Sequence, residues 1–340
     1  MQPDLHVPPS TDEVHSQIDR VLGRFRRRRT GAPAPVAGGT LNWNYRVATA
    51  SGPVFARRWR REVTAEQVMA EHELLGWVAA RGIPVVRPYG AAGAETVVEV
   101  EGTMWSLLPW VEGRTTVRGQ ITAADANALG EMHGRIHAVL AEHPASAGAS
   151  TQLLWDTASS LADLILVRQV AVEGGAAQEV VAGIDLQVRL LETALVRPRS
   201  DFSELPAQLP HGDYHDQQVL FGPGGDILAV NDWEMHRVMA RVWEVLRAVA
   251  FAQLYEEPGL GAYLSGYRQH VHLSEEECRL GVEAWWYGRL HSRWVYWTYF
   301  MEKNERVAEF FPETRRELAQ LADERWRADL ADRLVRAATG

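Results

Sequence analysis

Residues 209–221 read LPHGDYHDQQVLF, and residues 229–234 read AVNDWE; these two segments carry the strongest structural information in the chain. Two short apolar runs, residues 219–221 and 227–230, flank the cluster Gly222-Pro223-Gly224-Gly225. Apolar runs separated by Gly and Pro are typical of a β-hairpin. The sequence therefore predicts a hairpin that follows a polar loop rich in histidine and aspartate.

The predicted hairpin brings particular oxygen donors together. The start of its first strand and the end of its second lie side by side, so Gln218 is expected next to Asp232, with Asp213 one loop away. Amide and carboxylate oxygens suit Mg²⁺, which takes few protein ligands and completes its shell with phosphate oxygens. A polar turn with scattered aspartates would share the composition, but not the ordered sequence of loop, hairpin and aspartate.

The order His-Gly-Asp-x-His, hairpin, Asp-Trp-Glu resembles the aminoglycoside phosphotransferase family of kinase-like small-molecule kinases, which includes choline- and homoserine-kinase-like members. The resemblance implies that Asp213 accepts or orients the substrate hydroxyl and that Asp232 is the main metal ligand. It places Gln218 where the family has Asn, with the same amide oxygen on a longer stem. His211 is expected to order the loop through hydrogen bonds, and His215 to do the same or to touch the phosphoryl group.

A glycine-rich turn between two predicted strands lies near the N-terminus. Gly38, Gly39 and Asn42 are candidate nucleotide-binding residues, because glycines let the backbone approach phosphates closely. Arg57 ends the second strand, where the resemblance implies a phosphate-gripping residue that is usually Lys. The only lysine of the chain is Lys303, so Arg57 is the candidate, and arginine keeps the charge and offers a fork for phosphate.

The following helix and strand supply further candidates. Thr64-x-x-Gln67 predicts a capping box that opens a helix. On this helix the resemblance implies a glutamate that pairs with Arg57; Glu71 is favoured and Glu73 is the alternative. Beyond the strands the resemblance implies a hinge whose backbone meets the purine, with the candidates Leu108, Trp110 and Val111.

Two histidines stand four residues apart on a predicted helix that begins at Thr122-x-x-Asp125. His133 and His137 could bind a metal from one helix face. The sequence shows no third ligand, so packing is the favoured interpretation.

Composition excludes several function classes. The net charge of −9 argues against nucleic-acid binding, and the single cysteine excludes an intramolecular disulfide framework. Residues 1–105 hold 13 arginines and 11 acids, so the acidic excess lies in the rest of the chain. This excess favours a cationic or polyhydroxylated acceptor, although solvated helix faces give the same count. Without an apolar run that could cross a membrane, the protein is expected to be cytoplasmic, a monomer or a homodimer, with no membrane partner.

The order of elements predicts the fold class. Mostly strands precede residue 108 and mostly helices follow, which indicates an α+β protein. The resemblance implies a two-lobed protein-kinase-like fold, with an antiparallel sheet and one main helix in the N-terminal lobe and a larger, mainly helical C-terminal lobe. The predicted divisions are an extension and helix over 1–30, a nucleotide-binding lobe over 31–110 and a helical lobe over 111–340. Later helices are predicted at about 153–172, 177–196, 274–303 and 306–338.

Together with these observations, the resemblance implies a kinase that moves the γ-phosphate of ATP or GTP, with Mg²⁺, to a hydroxyl of a small molecule. An antibiotic of the aminoglycoside or nucleoside type is the favoured acceptor, since arginine use almost without lysine indicates a GC-rich bacterial genome and self-resistance. A metabolic kinase of an amino alcohol, sugar or homoserine is an alternative. A nucleotide-binding pseudokinase is another, motivated by Gln218 and Arg57, whereas the retention of Asp213 and Asp232 argues against it.

Overall fold

The computed structural model describes residues 10–37, 39–60, 62–151, 155–195 and 201–339. The chain forms two compact units, the first of residues 1–115 with 218–234 and the second of residues 116–217 with 235–340. Within the described residues, no helix combines the length and apolar character needed to cross a membrane.

The first unit is built on a five-stranded antiparallel sheet in the order β1-β2-β3-β5-β4. Its strands are β1 (Ala34–Pro35), β2 (Trp43–Thr49), β3 (Gly52–Arg58), β4 (Val98–Val100) and β5 (Thr103–Pro109). Its helices are α1 (Thr11–Arg24) and α2 (Ala65–Ala79). The predicted capping box of α2 is present, because Thr64 accepts from the Gln67 backbone and Gln67 accepts from the Thr64 backbone.

One face of this sheet is covered by α1. The strands alternate between buried and more exposed residues, and the apolar stripe of α1 packs on the buried set. The resulting core contains Val14, Ile18, Val21, Leu22, Phe25, Tyr45, Val47, Val54, Ala56, Val98, Val100, Trp105 and Leu107. The apolar residues of α1, which recur at helical spacing, therefore pack on the apolar residues of the strands, which alternate along one face of the sheet.

A hairpin distant in sequence completes the first unit. It consists of β7 (Val219–Phe221) and β8 (Ile227–Val230), paired antiparallel with Val219 opposite Val230. The Val230 N–H donates to the Pro84 carbonyl at 2.8 Å. Arg114 and Phe221 exchange backbone hydrogen bonds of 2.8 and 2.9 Å. The predicted hairpin thus exists and is tied to the first unit by its backbone.

The second unit is mainly helical. Its two short strands, β6 (Ala207–Gln208) and β9 (Met239–Ala240), pair with each other. Its helices are α3 (Ala123–Ala141), α4 (Thr157–Glu173), α5 (Gln178–Leu195), α6 (Arg241–Phe251), α7 (Gly259–Tyr267), α8 (Glu275–His291), α9 (Trp294–Phe300), α10 (Phe311–Ala322) and α11 (Glu324–Thr339). Helices α3 and α7 lie so close that a side chain at Gly130 would reach within 1.8 Å of the Tyr263 carbonyl oxygen. Only glycine permits this contact.

The α+β class predicted from the sequence is confirmed, while two long helices are not. The helix predicted over 274–303 ends at His291 and a new one begins at Trp294. The helix predicted over 306–338 is also wrong, because the chain turns at Asp323. The Asp323 carboxylate accepts the backbone N–H groups of Arg325 and Trp326, so it starts a new helix in the middle of the amphipathic pattern.

Candidate active site

Strand alternation in the first unit decides which arginine is available to a ligand. Arg57 and Arg58 are neighbours on β3 and therefore face opposite sides of the sheet. Arg58 faces α1, where its Nε donates to Gln17 Oε1 at 3.2 Å and its Nη2 lies 3.0 Å from Glu13 Oε1. Arg58 is thus part of the packing between helix and sheet, and Arg57 occupies the other face.

Arg57 is surrounded by carboxylates. Its Nη1 lies 3.3 Å from Asp232 Oδ1 and 3.8 Å from Glu71 Oε1. Glu71 is buried and Glu73 is exposed, so the structure places the favoured glutamate of α2 beside Arg57. Although burial alone would lower the pKa of Arg57, the charges of Asp232, Glu71 and Glu234 raise it. The guanidinium is therefore fixed as a cation.

The same cluster holds more acid than one arginine neutralises. Burial raises the pKa of Glu71 to about 8 in spite of Arg57, and the charges of Asp232 and Glu234 add to the rise. Burial, followed by the charge of Asp232, also raises the pKa of Glu234. Carboxyl groups are pushed toward their protonated forms when negative charge accumulates without enough counter-charge. A cation bound among them would relieve this repulsion.

Asp232 has two features of a ligand-binding residue. Its φ of +65° lies in the left-handed region, which non-glycine residues adopt at a cost and often at functional sites. Its Oδ1 is buried and, among the described residues, makes no hydrogen bond. Gln218 Nε2 lies 3.5 Å from Asp232 Oδ2, so the predicted pair is adjacent. Asp232 Oδ1 is thus buried beside an amide, and Arg57 Nη1, 3.3 Å away, pairs with it by charge without making a hydrogen bond; such an oxygen fits a hard cation such as Mg²⁺.

A hydrogen bond between Asn42 and Glu234 joins the glycine-rich segment to the Asp-Trp-Glu segment. Asn42 is buried; its Nδ2 donates to Glu234 Oε2 at 2.9 Å and its Oδ1 accepts the Arg60 N–H at 3.1 Å. Glu234 also lies 3.5 Å from Arg60 Nη1. The side-chain amide of Asn42, predicted to bind nucleotide, is thus used in hydrogen bonds within the first unit. Glu234 was not among the predicted site residues, although it is the glutamate of the Asp-Trp-Glu motif.

The remaining nucleotide-binding candidates lie at the strand ends of the first unit. Gly39 precedes β2, whereas Gly38 lies outside the described residues. Leu108 lies near the end of β5 and pairs with Phe55, and Trp110 stacks on Phe55 with ring centroids 6.5 Å apart. Leu108, Trp110 and Val111 are partly exposed. Their predicted contact with the purine stays a prediction.

The second unit carries the loop that contains Asp213. Arg247 on α6 pairs with this aspartate; its Nε donates to Asp213 Oδ1 at 2.9 Å and its Nη2 contacts the same oxygen. Burial would raise the pKa of Asp213, but the charges of Arg247 and His215 lower it. Asp213 is therefore held as a carboxylate. Arg247 stands 34 residues away in the chain, and no local pattern marks it.

The two loop histidines fix the backbone around Asp213. His211 is fully buried and its Nδ1 accepts the Asp213 N–H at 3.2 Å. His215 Nδ1 accepts the Gln217 N–H at 3.2 Å, and its Nε2 lies 4.0 Å from Asp213 Oδ2. His211 thus makes a hydrogen bond to the loop backbone, as predicted. His215 lies close to the Asp213 carboxylate.

A buried glutamate anchors this loop from α6. Glu244 accepts the backbone N–H groups of His211, at 3.3 Å, of Gly212, and of Tyr214, at 3.4 Å. Gly212 has a φ of +94°, and a side chain there would reach within 2.1 Å of the Met235 carbonyl oxygen. The loop backbone is consequently fixed on both sides of Asp213.

A third group that the sequence did not reveal lies between His133 and His137, namely the carboxylate of Glu244. His137 Nε2 lies 2.9 Å and His133 Nε2 3.1 Å from Glu244 Oε2. On their other sides, the Nδ1 atoms meet the hydroxyl groups of Tyr263 and Tyr267. Packing predicts only contact, whereas these three groups form a hydrogen-bonded set with ligand atoms within 4.8 Å of one another.

Hydrogen bonds alone account for the protonation states of Glu244, His133 and His137, without a metal ion. Burial would raise the pKa of Glu244, yet the hydrogen bonds from His133 and His137 hold it well below its usual range. Burial lowers the pKa of His133 to about 3, so its ring is neutral. An ionised Glu244 requires both Nε2 atoms to carry protons, and the tyrosine hydroxyls then donate to Nδ1. Each donor thus has an acceptor.

Part of this chain is similar in sequence to a family model and to curated proteins. A family model described as the phosphotransferase enzyme family matches residues 33–280. Homoserine kinase of Caulobacter sp. strain K31 is 26% identical over 224 residues, which cover 66% of this chain and 65% of that protein. Homoserine kinase of Caulobacter vibrioides strain NA1000 is 25% identical over 226 residues, 66% of either chain. The chain thus spans just under two thirds of the length of these curated relatives.

Solved structures show the same fold across nearly the whole chain. Spectinomycin phosphotransferase with ADP and spectinomycin matches with a TM-score of 0.61 and 13% identity, covering 96% of this chain and 98% of that one. Amicoumacin kinase with AMP-PNP and Ca²⁺ gives 0.60 and 13%, covering 95% and 96%. The microcompartment-associated aminopropanol kinase gives 0.60 and 17%, covering 95% and 99%. The protein-kinase-like fold implied by the sequence is confirmed.

The family model covers most of the chain, from before the glycine-rich segment to beyond the Asp213 loop and the Asp232 hairpin. The chain belongs to the phosphotransferase enzyme family and has its protein-kinase-like fold.

Proposed function

We propose that this protein transfers the γ-phosphate of ATP or GTP, bound with Mg²⁺, to a hydroxyl group of a small molecule in the cytoplasm. The observation that carries the proposal is Asp232, whose left-handed backbone and buried Oδ1 without a hydrogen bond among the described residues suit a metal ligand. The nucleotides in the complexes of fold relatives support a nucleotide co-substrate. No nucleic-acid partner is proposed.

In the first unit, the residues would bind and neutralise the phosphates. Asp232 and Gln218 would hold Mg²⁺, which when bound neutralises phosphate charge and orients the leaving group. Arg57, kept charged by its carboxylate neighbours, would contact the phosphate oxygens. Glu71 would keep the guanidinium in place from α2. These side chains supply charge and position, which are the main requirements of phosphoryl transfer.

In the second unit, Asp213 would orient the acceptor. The hydroxyl oxygen forms a bond to the γ-phosphorus while the bond to the β,γ-bridging oxygen breaks, and the hydroxyl proton passes to Asp213. Because Arg247 engages Oδ1, Oδ2 is the oxygen proposed to receive the proton. The lowered pKa of Asp213 makes it a weak base, so its orienting role comes first and proton transfer is late.

Two acceptor classes remain in the proposal. The sequence favours a hydroxylated antibiotic, and the curated relatives that carry the name homoserine kinase favour a hydroxylated amino acid. Both would be substrates of the same transfer reaction. Only the fold is common to this chain and the two antibiotic kinases, because their identities are 13%.

Replacing Asp213 by Asn tests the proposal directly. We expect Asp213→Asn to lower turnover by roughly 10²–10⁴-fold, because the amide cannot accept the proton. Nucleotide affinity should stay nearly unchanged, since Asp213 is assigned to the acceptor. Phosphorylated product is measured by mass over a panel of hydroxylated amino acids, amino alcohols, sugars and antibiotics. Asp226→Asn, in an exposed turn of the hairpin, is the matched control.

Two results would contradict the proposal. Wild-type turnover in Asp213→Asn would remove this residue from the reaction. Absence of both product and Mg²⁺-dependent nucleotide hydrolysis in the parent protein would favour the pseudokinase.

A further inference from the structure

The surroundings of Asp213 in the second unit are cationic, in contrast to the acidic composition of the chain after residue 105. The guanidinium of Arg247 lies 4.5 Å and that of Arg118 5.4 Å from the centre of the Phe251 ring. The imidazole of His215 stacks on the same ring at 4.9 Å. One phenyl group thus gathers two guanidinium groups and an imidazole beside the catalytic loop.

Carboxylates balance the charge of both arginines. Arg247 pairs with Asp213, and Arg118 pairs with Glu313 on α10. These ion pairs leave little charge for an incoming acceptor, because each guanidinium already contacts a carboxylate. An additional cation is therefore needed if the surroundings are to attract an anion.

Arg237 supplies that cation. It is exposed and, within the part of the chain that the structure describes, no carboxylate lies within 4.0 Å of it. Its segment lies against the catalytic loop, since a side chain at Gly212 would reach within 2.1 Å of the Met235 oxygen and 2.8 Å of the His236 nitrogen. Partial burial and the charge of Arg247 lower the pKa of Arg237, which agrees with two like charges close together. An anion would relieve this repulsion.

The flanking residues add an apolar surface. Met235 and Val238 are 39% exposed each, although large apolar side chains are commonly covered. An exposed arginine flanked in the sequence by two exposed apolar residues can bind a small molecule that has both a carboxylate and a hydrocarbon part. The guanidinium fork matches a carboxylate with two parallel hydrogen bonds.

We propose that the acceptor of this enzyme carries a carboxylate, which Arg237 binds while Asp213 orients the hydroxyl. The inference rests on the proposed function and narrows its acceptor to hydroxylated acids, amino acids included. It argues against polycationic aminoglycosides, which would place ammonium groups near Arg237. The acidic excess of the second part of the chain then belongs to solvated surfaces and not to acceptor recognition.

Matched acceptor pairs that differ only by the carboxylate provide the test. Suitable pairs are L-homoserine with 3-aminopropan-1-ol, L-threonine with 1-aminopropan-2-ol and L-serine with ethanolamine; an aminoglycoside is added as a polycation. We expect the acid of at least one pair to be preferred by about tenfold or more in kcat/KM, as one charge-assisted contact allows. Transfer is measured with the full chain, Mg²⁺ and ATP.

The variant Arg237→Gln assigns that preference to a residue. It should raise the KM of the acid about tenfold to a hundredfold, with the KM of ATP and kcat nearly unchanged, and it should remove the preference within the pair. Arg237→Lys should restore part of it, because lysine keeps the charge without the fork. Arg325→Gln, an exposed arginine on α11, is the matched control and should behave as the parent protein.

Other outcomes distinguish a failure of the carboxylate proposal from a failure of the proposed phosphotransferase function. If only neutral or cationic acceptors are phosphorylated, the carboxylate proposal is overturned and the transferase activity stands. If Arg237→Gln raises the KM of ATP, or lowers kcat equally for both members of a pair, the anion at Arg237 is a phosphate and the proposal is again overturned. If nothing accepts phosphate and ATP is not hydrolysed, the proposed function fails as well.

Discussion

Two carboxylates with buried oxygen atoms have opposite surroundings in this protein. Glu244 in the second unit is fully buried, and its oxygens accept hydrogen bonds from three backbone N–H groups and two histidines. Asp232 in the first unit has a buried Oδ1 that no described residue satisfies by a hydrogen bond, and its backbone is left-handed. Both stand near cationic or polar partners, yet only Glu244 has its oxygens satisfied by hydrogen bonds, whereas Asp232 Oδ1 has only the ion pair with Arg57.

The difference distinguishes a structural carboxylate from a ligand-binding one. Satisfied buried groups stabilise a fold, because the desolvation cost is offset by their hydrogen bonds. An unsatisfied buried oxygen is destabilising until a ligand arrives, and proteins retain such groups chiefly at functional sites. We therefore expect substitutions of Glu244 to change stability first and substitutions of Asp232 to change turnover first.

The largest effect is expected at Glu244. Glu244→Ala should lower the free energy of unfolding by about 3–5 kcal/mol, because it leaves buried histidine and backbone donors without an acceptor. Denaturant titration measures this loss, and Glu244→Gln should lose less since it keeps one oxygen. Hydrogen exchange of the amides of His211, Gly212 and Tyr214 should accelerate in the same variants. A loss under about 1 kcal/mol with unchanged exchange would mean that the loop is held by other contacts.

Asp232 should show the opposite pattern. Asp232→Asn keeps the shape and tolerates the same backbone, so stability should change by less than about 1 kcal/mol. Turnover should fall by at least about 10²-fold and the Mg²⁺ requirement should rise, because the variant lacks the charge that holds the ion. Initial rates over a Mg²⁺ titration give both quantities. Gln218→Asn, which keeps an amide oxygen, is the control; equal losses in both variants would weaken the special position of Asp232.

Over a single pH unit, a titration of stability gives the smallest expected effect, and His133 links part of that effect to the satisfied cluster. Burial lowers the pKa of His133 to about 3 in the folded chain, against about 6.5 when unfolded. Between these two pKa values, His133 is neutral in the folded state and protonated in the unfolded state. The resulting stability is complete above pH 6.5 and is lost as the pH falls toward 3, by about 1.4 kcal/mol per pH unit.

His133→Asn should flatten this dependence between pH 6.5 and 4.5, measured by denaturant titration at each pH. His272→Asn, at an exposed position, is the control and should leave the slope as it is. An unchanged slope in His133→Asn would show that other groups carry the acid sensitivity.

Local patterns predicted the parts of the site that lie close in sequence. The Gly-Pro-Gly-Gly turn fixes the register that brings Gln218 to Asp232, and strand alternation separates Arg57 from Arg58. Helical periodicity alone ran across Asp323, although an aspartate that can start a helix was visible there. Elements that carry a local pattern were predicted, apart from the helix boundaries at residues 291–294 and at Asp323.

Arg247 and Glu244 could not be predicted in the same way. They reach the Asp213 loop from α6, and their contacts are created by tertiary packing over about 30 residues of intervening chain. A charged residue on an amphipathic helix ordinarily faces solvent, so no local pattern predicted that these two side chains would face the loop. The positions of the loop and the hairpin were predictable; the groups that hold the loop were not.

The first unit is assembled from two stretches of chain, residues 1–115 and 218–234, and this has a consequence for biosynthesis. During translation the sheet leaves the ribosome first, and residues 116–217 must follow before the hairpin can dock on Pro84 and Arg114. A nascent chain therefore has no Asp232 beside Arg57 until residue 234 has been made. Metal-nucleotide cannot assist the early folding of the sheet, and a fragment that ends at Thr115 would be a scaffold without its carboxylate.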